Sequence, residues 1–379
     1  MGSSTASSYP LVRILTLNLF MRPPGIKTNA SDYKDARLDY VIKHVLPQYD
    51  VISFQELFSF MNSRVDHLLR AARAAGFGHF FRSKPKSVLD FSIDGGLLTI
   101  SRFPIMETDS VTYPRGKYSD WMAAKGALYT KIELSNRSHL HLFTTHTQAS
   151  YEQVVLVDCP TAMIRRTQFQ ILHDFVVRKT RDTPVDEPII IQGDLNVNAR
   201  VDGKISSNAK DSRSSEEYDI MMGILRGEPT TSANSRSPLT LSPTPPSREN
   251  HASNRPPAIH FRDILYDTLG YHPVTFGDIV LDHSGVPKPR DCVLSAGPCS
   301  TSCQRLDYIL WGTKSANVGN GVQAQDSPFS DSSQSFKAVP IRTYVAPIYI
   351  DDGMKGSGNC PVTQISDHYG VACEVQLKD

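Results

Sequence analysis

The sequence predicts an α/β fold: two mixed β-sheets packed face to face, with helices on their outer sides. Three observations predict it. Short apolar runs rich in β-branched residues, of the length of buried strands, recur from residue 12 to residue 372. Stretches with helical spacing alternate with them in the first half of the chain. Polar residues suited to chemistry stand at the ends of those runs.

In chain order, residues 12–17 form the first strand, which ends at Asn18. Residues 32–46 place Ala36, Leu38, Val41, Ile42 and Val45 at helical spacing, with Ser31 or Asp32 as cap and Pro47 as stop. Residues 51–55 are a strand closing on Glu56. Residues 61–75 repeat the helical pattern through Val65, Leu68, Leu69 and Ala72, and Gly76 ends it. Strands at 94–101, 105–113, 124–134 and 138–146 read as one antiparallel run, the last closing on His146. Residues 161–178 form a third helix, residues 189–193 a strand leading into Asp194, and residues 214–226 a fourth helix. Asp307 opens the apolar residues 308–310, and Asp367-His368 precedes residues 369–372. Residues 1–10 read as a Ser-rich flexible tail. Residues 227–260, rich in Ser, Pro, Thr and Asn, read as a disordered insertion, and residues 313–338 as a polar loop.

Length alone, at 379 residues, allows two or three domains. The polar strand ends run from position 18 to position 368, so their convergence requires a single domain over 11–379. Composition is ordinary for a soluble globular protein, with 40% hydrophobic and 21% charged residues. A net charge of +1 gives no broad support for binding nucleic acid through many phosphates. No run approaches the roughly 18 apolar residues of a membrane span. Residues 1–10 lack the basic start and apolar core of a secretory signal. The expected location is therefore the cytoplasm, peripheral to membranes, with secretion as the alternative. Six cysteines match no zinc spacing. Cys292, Cys299 and Cys303 cluster, and a disulfide there is expected only in a secreted protein. The sequons at Asn29 and Asn136 carry little weight without a signal.

The strand-end residues suit the cleavage of a phosphodiester. Its negative charge repels a nucleophile, so catalysis needs charge neutralisation, an activated water and protonation of the leaving group. Glu56 is a natural ligand for a hard divalent cation such as Mg²⁺. Asn18 can support that ion or a phosphate oxygen. Asp194 and Asn196 are two apart and in extended geometry point to one side, one accepting a proton and the other donating to phosphate. His146 and His368 can donate to developing oxyanions or shuttle protons. Asp307 can orient a histidine by accepting its ring proton. Taken singly, each has a plainer reading: a solvated carboxylate, a turn, or a structural histidine such as the neighbouring His139 and His141.

The ordered set Asn18, Gln55-Glu56, Thr145-His146, Gly193-Asp194-Leu195-Asn196, Arg305-Leu306-Asp307-Tyr308 and Ser366-Asp367-His368 resembles the endonuclease/exonuclease/phosphatase superfamily across essentially the whole chain. Further segments are similar to those of neutral sphingomyelinases. These are residues 95–105, the Asp120-to-Lys125-Gly126 step, Thr145-His146-Thr147-Gln148-Ala149 (with Thr147 where Leu is common), and Arg165 with Gln168. The resemblance implies a four-layer, deoxyribonuclease-like sandwich. It implies Mg²⁺, with Mn²⁺ as a possible substitute, held by Glu56 and Asn18. Asp194 and His368 would flank the attacking water and reacting phosphate, with Asp367 beside them. Asn196 and His146 would bind phosphate oxygens, Asp307 would orient His368, and Asp120 with Lys125 would form a switch that brings Lys125 to the site.

The implied reaction is hydrolysis of sphingomyelin to ceramide and phosphocholine at a membrane surface, with anionic lipids as candidate activators. Two loops are expected to dock on that surface, one with Leu89 and Phe91 near Lys84 and Lys86, the other with Trp121 and Met122. The alternatives are an inositol phosphosphingolipid phospholipase C, an endonuclease, and an inactive lipid-binding protein. A nuclease predicts Arg-rich loops beside the site, and an inactive protein predicts a lost catalytic position.

Overall fold

The computed structural model describes residues 11–27, 32–86, 92–135, 138–152, 156–201, 210, 212–228, 258–291, 293–294, 301–314, 337–350 and 361–378. The first sheet begins with β1 (Leu11–Met21), β2 (Val51–Leu57), β3 (His79–Arg82) and β4 (Leu98–Ser101). The second contains β5 (Ile105–Thr112), β6 (Gly126–Ser135), β7 (Ser138–His146), β8 (Ile189–Asp194) and β9 (Ile259–Asp263). Short strands β10 (Phe276–Gly277), β11 (Ile279–Leu281), β12 (Pro287–Pro289) and β13 (Cys303–Gln304) form two small ribbons. β14 (Asp307–Lys314) rejoins the second sheet, and β15 (Ala338–Ala346) and β16 (Gly370–Leu377) complete the first. The sheet orders are β15-β16-β1-β2-β4-β3 and β5-β6-β7-β8-β14-β9.

Strand parity explains the layering. In β1, Val12 and Ile14 enter the core between the sheets, while Leu15, Leu17 and Leu19 face the helix layer. That outer layer holds α1 (Lys34–Tyr40) and α2 (Arg64–Ala74), the latter burying Val65, Leu68, Leu69 and Ala72. In β8, Ile190 faces the other sheet, while Ile189 and Ile191 pack toward α3 (Pro160–Thr180) and α4 (Glu216–Leu225). A fifth helix, α5, covers Ile264–Leu269. Each fully buried large aliphatic side chain contributes about 1.5–3 kcal/mol, so both faces of each sheet are stabilised. The result is the α/β/β/α sandwich that the sequence predicts.

The same parity sets the site. Moving along β1 the inter-sheet face turns from Ile14 to Thr16 to Asn18; along β7 it turns from Leu142 to Thr144 to His146. Ser53, Thr99 and Thr144 form a buried hydroxyl cluster there, with contacts of 2.7–3.2 Å. β1 runs parallel to β2, and β7 parallel to β8. Their C-terminal ends therefore bring Asn18, Glu56, His146 and Asp194 to one end of the sandwich. Asp307, at the start of the antiparallel β14, pairs directly with Asp194.

Some expectations need correction. Residues 98–101 do not continue the antiparallel run of β5 to β7; they pair with β2 and β3 in the other sheet. Asp32 does not cap helix α1 but accepts from Arg22 at 2.9 Å; the N-cap is Tyr33 in a left-handed conformation, and Ser31 lies outside the described residues. The helix continues through a π-helical turn at Val41–Val45 and a 3-10 turn at Leu46–Gln48. Strands β3, β9 and β15 and helix α5 escaped the sequence reading. The 1–10 tail, most of the 227–260 and 313–338 segments, Phe91, Cys292 and Cys299 lie outside the described residues. Cys303 is a buried free thiol.

Candidate active site

Asn18 is fully buried, and its Nδ2 donates both to Glu56 Oε1 at 3.2 Å and to Asp194 Oδ2 at 3.0 Å. The amide thus links the ends of β1, β2 and β8. Its own Oδ1 accepts from Phe20 N at 2.9 Å. Glu56 sits at φ 53°, a left-handed conformation uncommon outside glycine. Its side chain remains partly exposed beside the buried cluster.

β8 reaches Asp194 through Gly193, at φ 142°. A Cβ there would lie 1.9 Å from the Thr145 carbonyl of β7, so only glycine lets the strands approach this closely. Asn196 departs from the extended geometry expected of the Asp-Leu-Asn triplet. At φ 51° it turns back, its backbone N donating to Asp194 Oδ1 at 3.0 Å and its Nδ2 to the Thr147 carbonyl at 3.1 Å. It shares the site with Asp194 through a turn rather than through strand alternation.

His368 Nδ1 contacts Asp307 Oδ2 at 2.9 Å, and its Nε2 faces Asp194 Oδ2 at 3.8 Å. Burial alone would lower its pKa, but the carboxylates of Asp307 and Asp194 outweigh it and push the imidazole up to about 10. His368 is therefore an imidazolium with Asp307 fixing its ring. Burial pushes Asp194 up to about 7 and Asp367 up to about 6. Ser366 Oγ donates to the Asn18 carbonyl at 2.7 Å and accepts from His368 N at 3.2 Å. That serine stitches the Asp367-His368 segment to the end of β1.

His146 is buried, its Nε2 lying 3.5 Å from Asp194 Oδ2 and 4.0 Å from Glu56 Oε1. Burial, then the neighbouring charges of Lys125 and His368, hold it well below the ordinary histidine pKa, so it is neutral. Lys125 Nζ approaches the same Nε2 at 3.1 Å and donates to Asp120 Oδ2 at 2.8 Å and to the Thr147 carbonyl at 2.7 Å. With the ammonium on Nε2, the ring proton belongs on Nδ1, which is buried without a hydrogen-bond partner among the described residues. The Asp120–Lys125 pair is itself buried, not an exposed turn salt bridge. Asp120 Oδ2 also accepts from Ala149 N at 2.7 Å, tying the 118–122 turn to the loop after β7.

All the proposed polar positions thus converge, and Asp120 and Lys125 join them. Trp121 and Met122 are each 50% exposed, so neither is core. The Arg115 guanidinium lies 4.4 Å from the Trp121 ring centroid. Sequence reasoning missed Arg37, which is fully buried and donates to the carbonyls of Leu19, Phe20 and Ile365 at 2.7–3.0 Å. It clamps the end of β1 to the segment preceding His368. An arginine between Ala36 and Leu38 on an amphipathic helix reads as a solvent-facing residue, so no sequence signal marks it.

The donor set fits a hard divalent cation. Glu56, His146 and Asp194 offer ligand atoms within 4.8 Å of one another; Asp194, Asp307 and His368 lie equally close, with His368 as an imidazolium leaving the two carboxylates as the donors of that group. Carboxylate oxygens dominate, and Asp307 Oδ1 is buried without a partner among the described residues. Oxygen-rich sites of this kind suit Mg²⁺ or Mn²⁺.

Comparison with known proteins agrees with this fold. The family model for the endonuclease/exonuclease/phosphatase family matches residues 15–368. A sphingomyelinase of Dictyostelium discoideum is 31% identical over 393 residues, covering 94% of this chain and 77% of that protein. Sphingomyelinase C of Bacillus cereus is 28% identical over 205 residues, covering 49% of this chain and 57% of that protein. Among solved structures, a mutant beta toxin of Staphylococcus aureus with bound magnesium ions superposes with a TM-score of 0.52 at 21% identity, covering 97% of this chain and 99% of the other. The family match runs from the first strand to His368, through every element that builds the site, and the chain therefore belongs to the endonuclease/exonuclease/phosphatase family.

Proposed function

We propose that this protein is a Mg²⁺-dependent neutral sphingomyelinase, hydrolysing sphingomyelin to ceramide and phosphocholine. The observation that carries the proposal is the buried chain Asp120–Lys125–His146–Asp194–His368. It joins the sphingomyelinase-like segment 119–128 to the general family site by contacts of 2.8, 3.1 and 3.5 Å, then 3.8 Å.

Glu56 and Asn18 would hold the cation, which supplies positive charge to the phosphate when bound. Asp194, in its carboxylate form and made more basic by burial, accepts a proton from the attacking water. The water oxygen bonds to phosphorus as the bond to the ceramide oxygen breaks. The departing oxygen takes the proton of the His368 imidazolium, which Asp307 keeps oriented. Asn196 and His146 bind phosphoryl oxygens. His146 can donate through Nε2 only once Lys125 leaves that atom and the ring proton passes from Nδ1 to Nε2, so movement of Lys125 from His146 toward phosphate is the productive step of the Asp120–Lys125 switch.

The substrate lies in a bilayer, and no described helix is long and apolar enough to cross one. Trp121 and Met122, with Arg115 alongside, offer an amphipathic rim for peripheral binding at a cytoplasmic membrane face, where anionic lipids would strengthen attachment. The test is product analysis on separate samples of sphingomyelin, an inositol phosphosphingolipid and plasmid DNA. Phosphocholine from sphingomyelin alone supports the proposal. Inositol phosphate release keeps the mechanism and changes the headgroup, and nicked DNA with intact lipid contradicts the lipid reading.

A further inference from the structure

The His368–Asp307 contact crosses between sheets. Asp307 opens β14 in the second sheet, and His368 precedes β16 in the first, 61 residues later. Among the described residues no ladder hydrogen bond joins those two strands. Something else must align the carboxylate with the ring.

Residues 275–278 touch both partners. Thr275 is fully buried, and its Oγ1 accepts from Leu306 N at 2.9 Å and from Asp307 N at 3.1 Å. Its carbonyl accepts from Tyr369 N at 2.6 Å, and its own N donates to the Gln304 carbonyl at 2.8 Å. Phe276 forms an isolated bridge with His368, their ring centroids 4.8 Å apart at 58°. Gly277 N donates to the Asp367 carbonyl at 3.0 Å. Asp278, at φ 96°, accepts from the Tyr369 hydroxyl and from Arg290 Nε, each at 2.6 Å. A non-glycine residue persists in that region only when its surroundings hold it there.

We propose that Thr275 is a positioning residue for the catalytic pair, its hydroxyl fixing the Asp307 backbone while its carbonyl and Phe276 fix the His368 segment. The inference rests on the assignment of His368 and Asp307 made above. A hydroxyl is required because it supplies two acceptor lone pairs for two buried N–H groups. Valine has the same shape and no acceptor, so Asp307 must shift to find partners for those groups.

The experiment compares wild type, Thr275→Val, Thr275→Ser and His368→Ala in sphingomyelin turnover. Alongside it, the low-field NMR signal of the His368 Nδ1 proton is recorded in the folded proteins. Thr275→Val is expected to lose roughly 10- to 100-fold in kcat with KM unchanged, and to shift or broaden that proton signal. Thr275→Ser, which keeps the oxygen, is expected to restore both. A Thr275→Val protein with wild-type kcat and an unmoved proton signal overturns the inference. So does equal impairment of Thr275→Ser. If Thr275→Val does not fold, Phe276→Leu is read the same way, and an unchanged kcat and signal overturn the inference. If wild type turns over no sphingomyelin, the substrate reading fails, and the proton signal still decides whether Thr275 positions the pair.

Discussion

At the level of single side chains, the site concentrates backbone strain and buried charge. Phe20, Glu56 and Asn196 all adopt left-handed φ near 50°. Conformations of this kind cost about 1–3 kcal/mol each and cluster where function requires them. Here they turn the ends of β1, β2 and β8 so that polar groups face one another. Glu56, the partly exposed carboxylate, is the proposed metal ligand. Glu56→Ala should abolish Mg²⁺-dependent turnover, and Mg²⁺ titration of the variant checks it. His368→Ala should lower kcat/KM by at least ~10², the lower range for an acid–base group. Near-wild-type kinetics in both would sink the site assignment. The identity of these residues was legible in the sequence because each borders a strand-like run. The conformation of Asn196 was not. Alternation predicts side-chain direction only while the chain stays extended, and the turn at Asn196 depends on acceptors from Asp194 and from the Thr147 carbonyl, the latter distant in sequence.

Among the secondary-structure elements, β7 and β8 carry the site at one end and a separate polar anchor at the other. Glu187, just before β8, accepts from His139 Nδ1 and His141 Nε2, both at 2.8 Å. Burial keeps His141 neutral and donating, while the Tyr129 hydroxyl pairs with its Nδ1 at 2.9 Å. Burial would raise the Glu187 pKa, but hydrogen bonds from His141 and His139 overturn that and depress it to about 2. A carboxylate depressed on folding stabilises the native state above its unfolded pKa, and that contribution is lost as pH falls through its folded pKa. Glu187→Gln should therefore flatten the pH dependence of stability between about 4.5 and 2, measured by thermal unfolding across that range. An unchanged slope would mean the anchor contributes nothing. Strand periodicity revealed β7 and β8 directly. It could not assign β4 to its sheet, because the run of residues 98–101 is buried on both faces and its partners are chosen by long-range pairing. Neither could it reveal β3, β9 or β15, which are short, half-exposed, or interrupted by polar residues and Pro340.

Across the whole molecule, convergence explains why one domain of this length is needed. Residues from position 18 to position 368 meet at one end of a sandwich whose two sheets each contribute parallel strand pairs. That ordered spread is readable in the sequence alone, as is the layering. The clamps by Arg37 and Thr275 are not, since they act on backbone atoms remote in sequence. The exposed Trp121 and Met122 stand beside the turn that carries Asp120, so the proposed docking rim and the proposed catalytic site share one end. Trp121→Ala should weaken binding to vesicles containing sphingomyelin and phosphatidylserine without altering hydrolysis of a soluble phosphodiester, as vesicle co-sedimentation would show. Equal binding would remove the rim from the mechanism. The most direct measurement is phosphocholine release from sphingomyelin in mixed micelles, first with Mg²⁺, then with EDTA, then with Mg²⁺ restored. A metal-dependent phosphodiesterase of this type should release phosphocholine, stop with EDTA and recover. Release that continues in EDTA, or none under any condition, would contradict it.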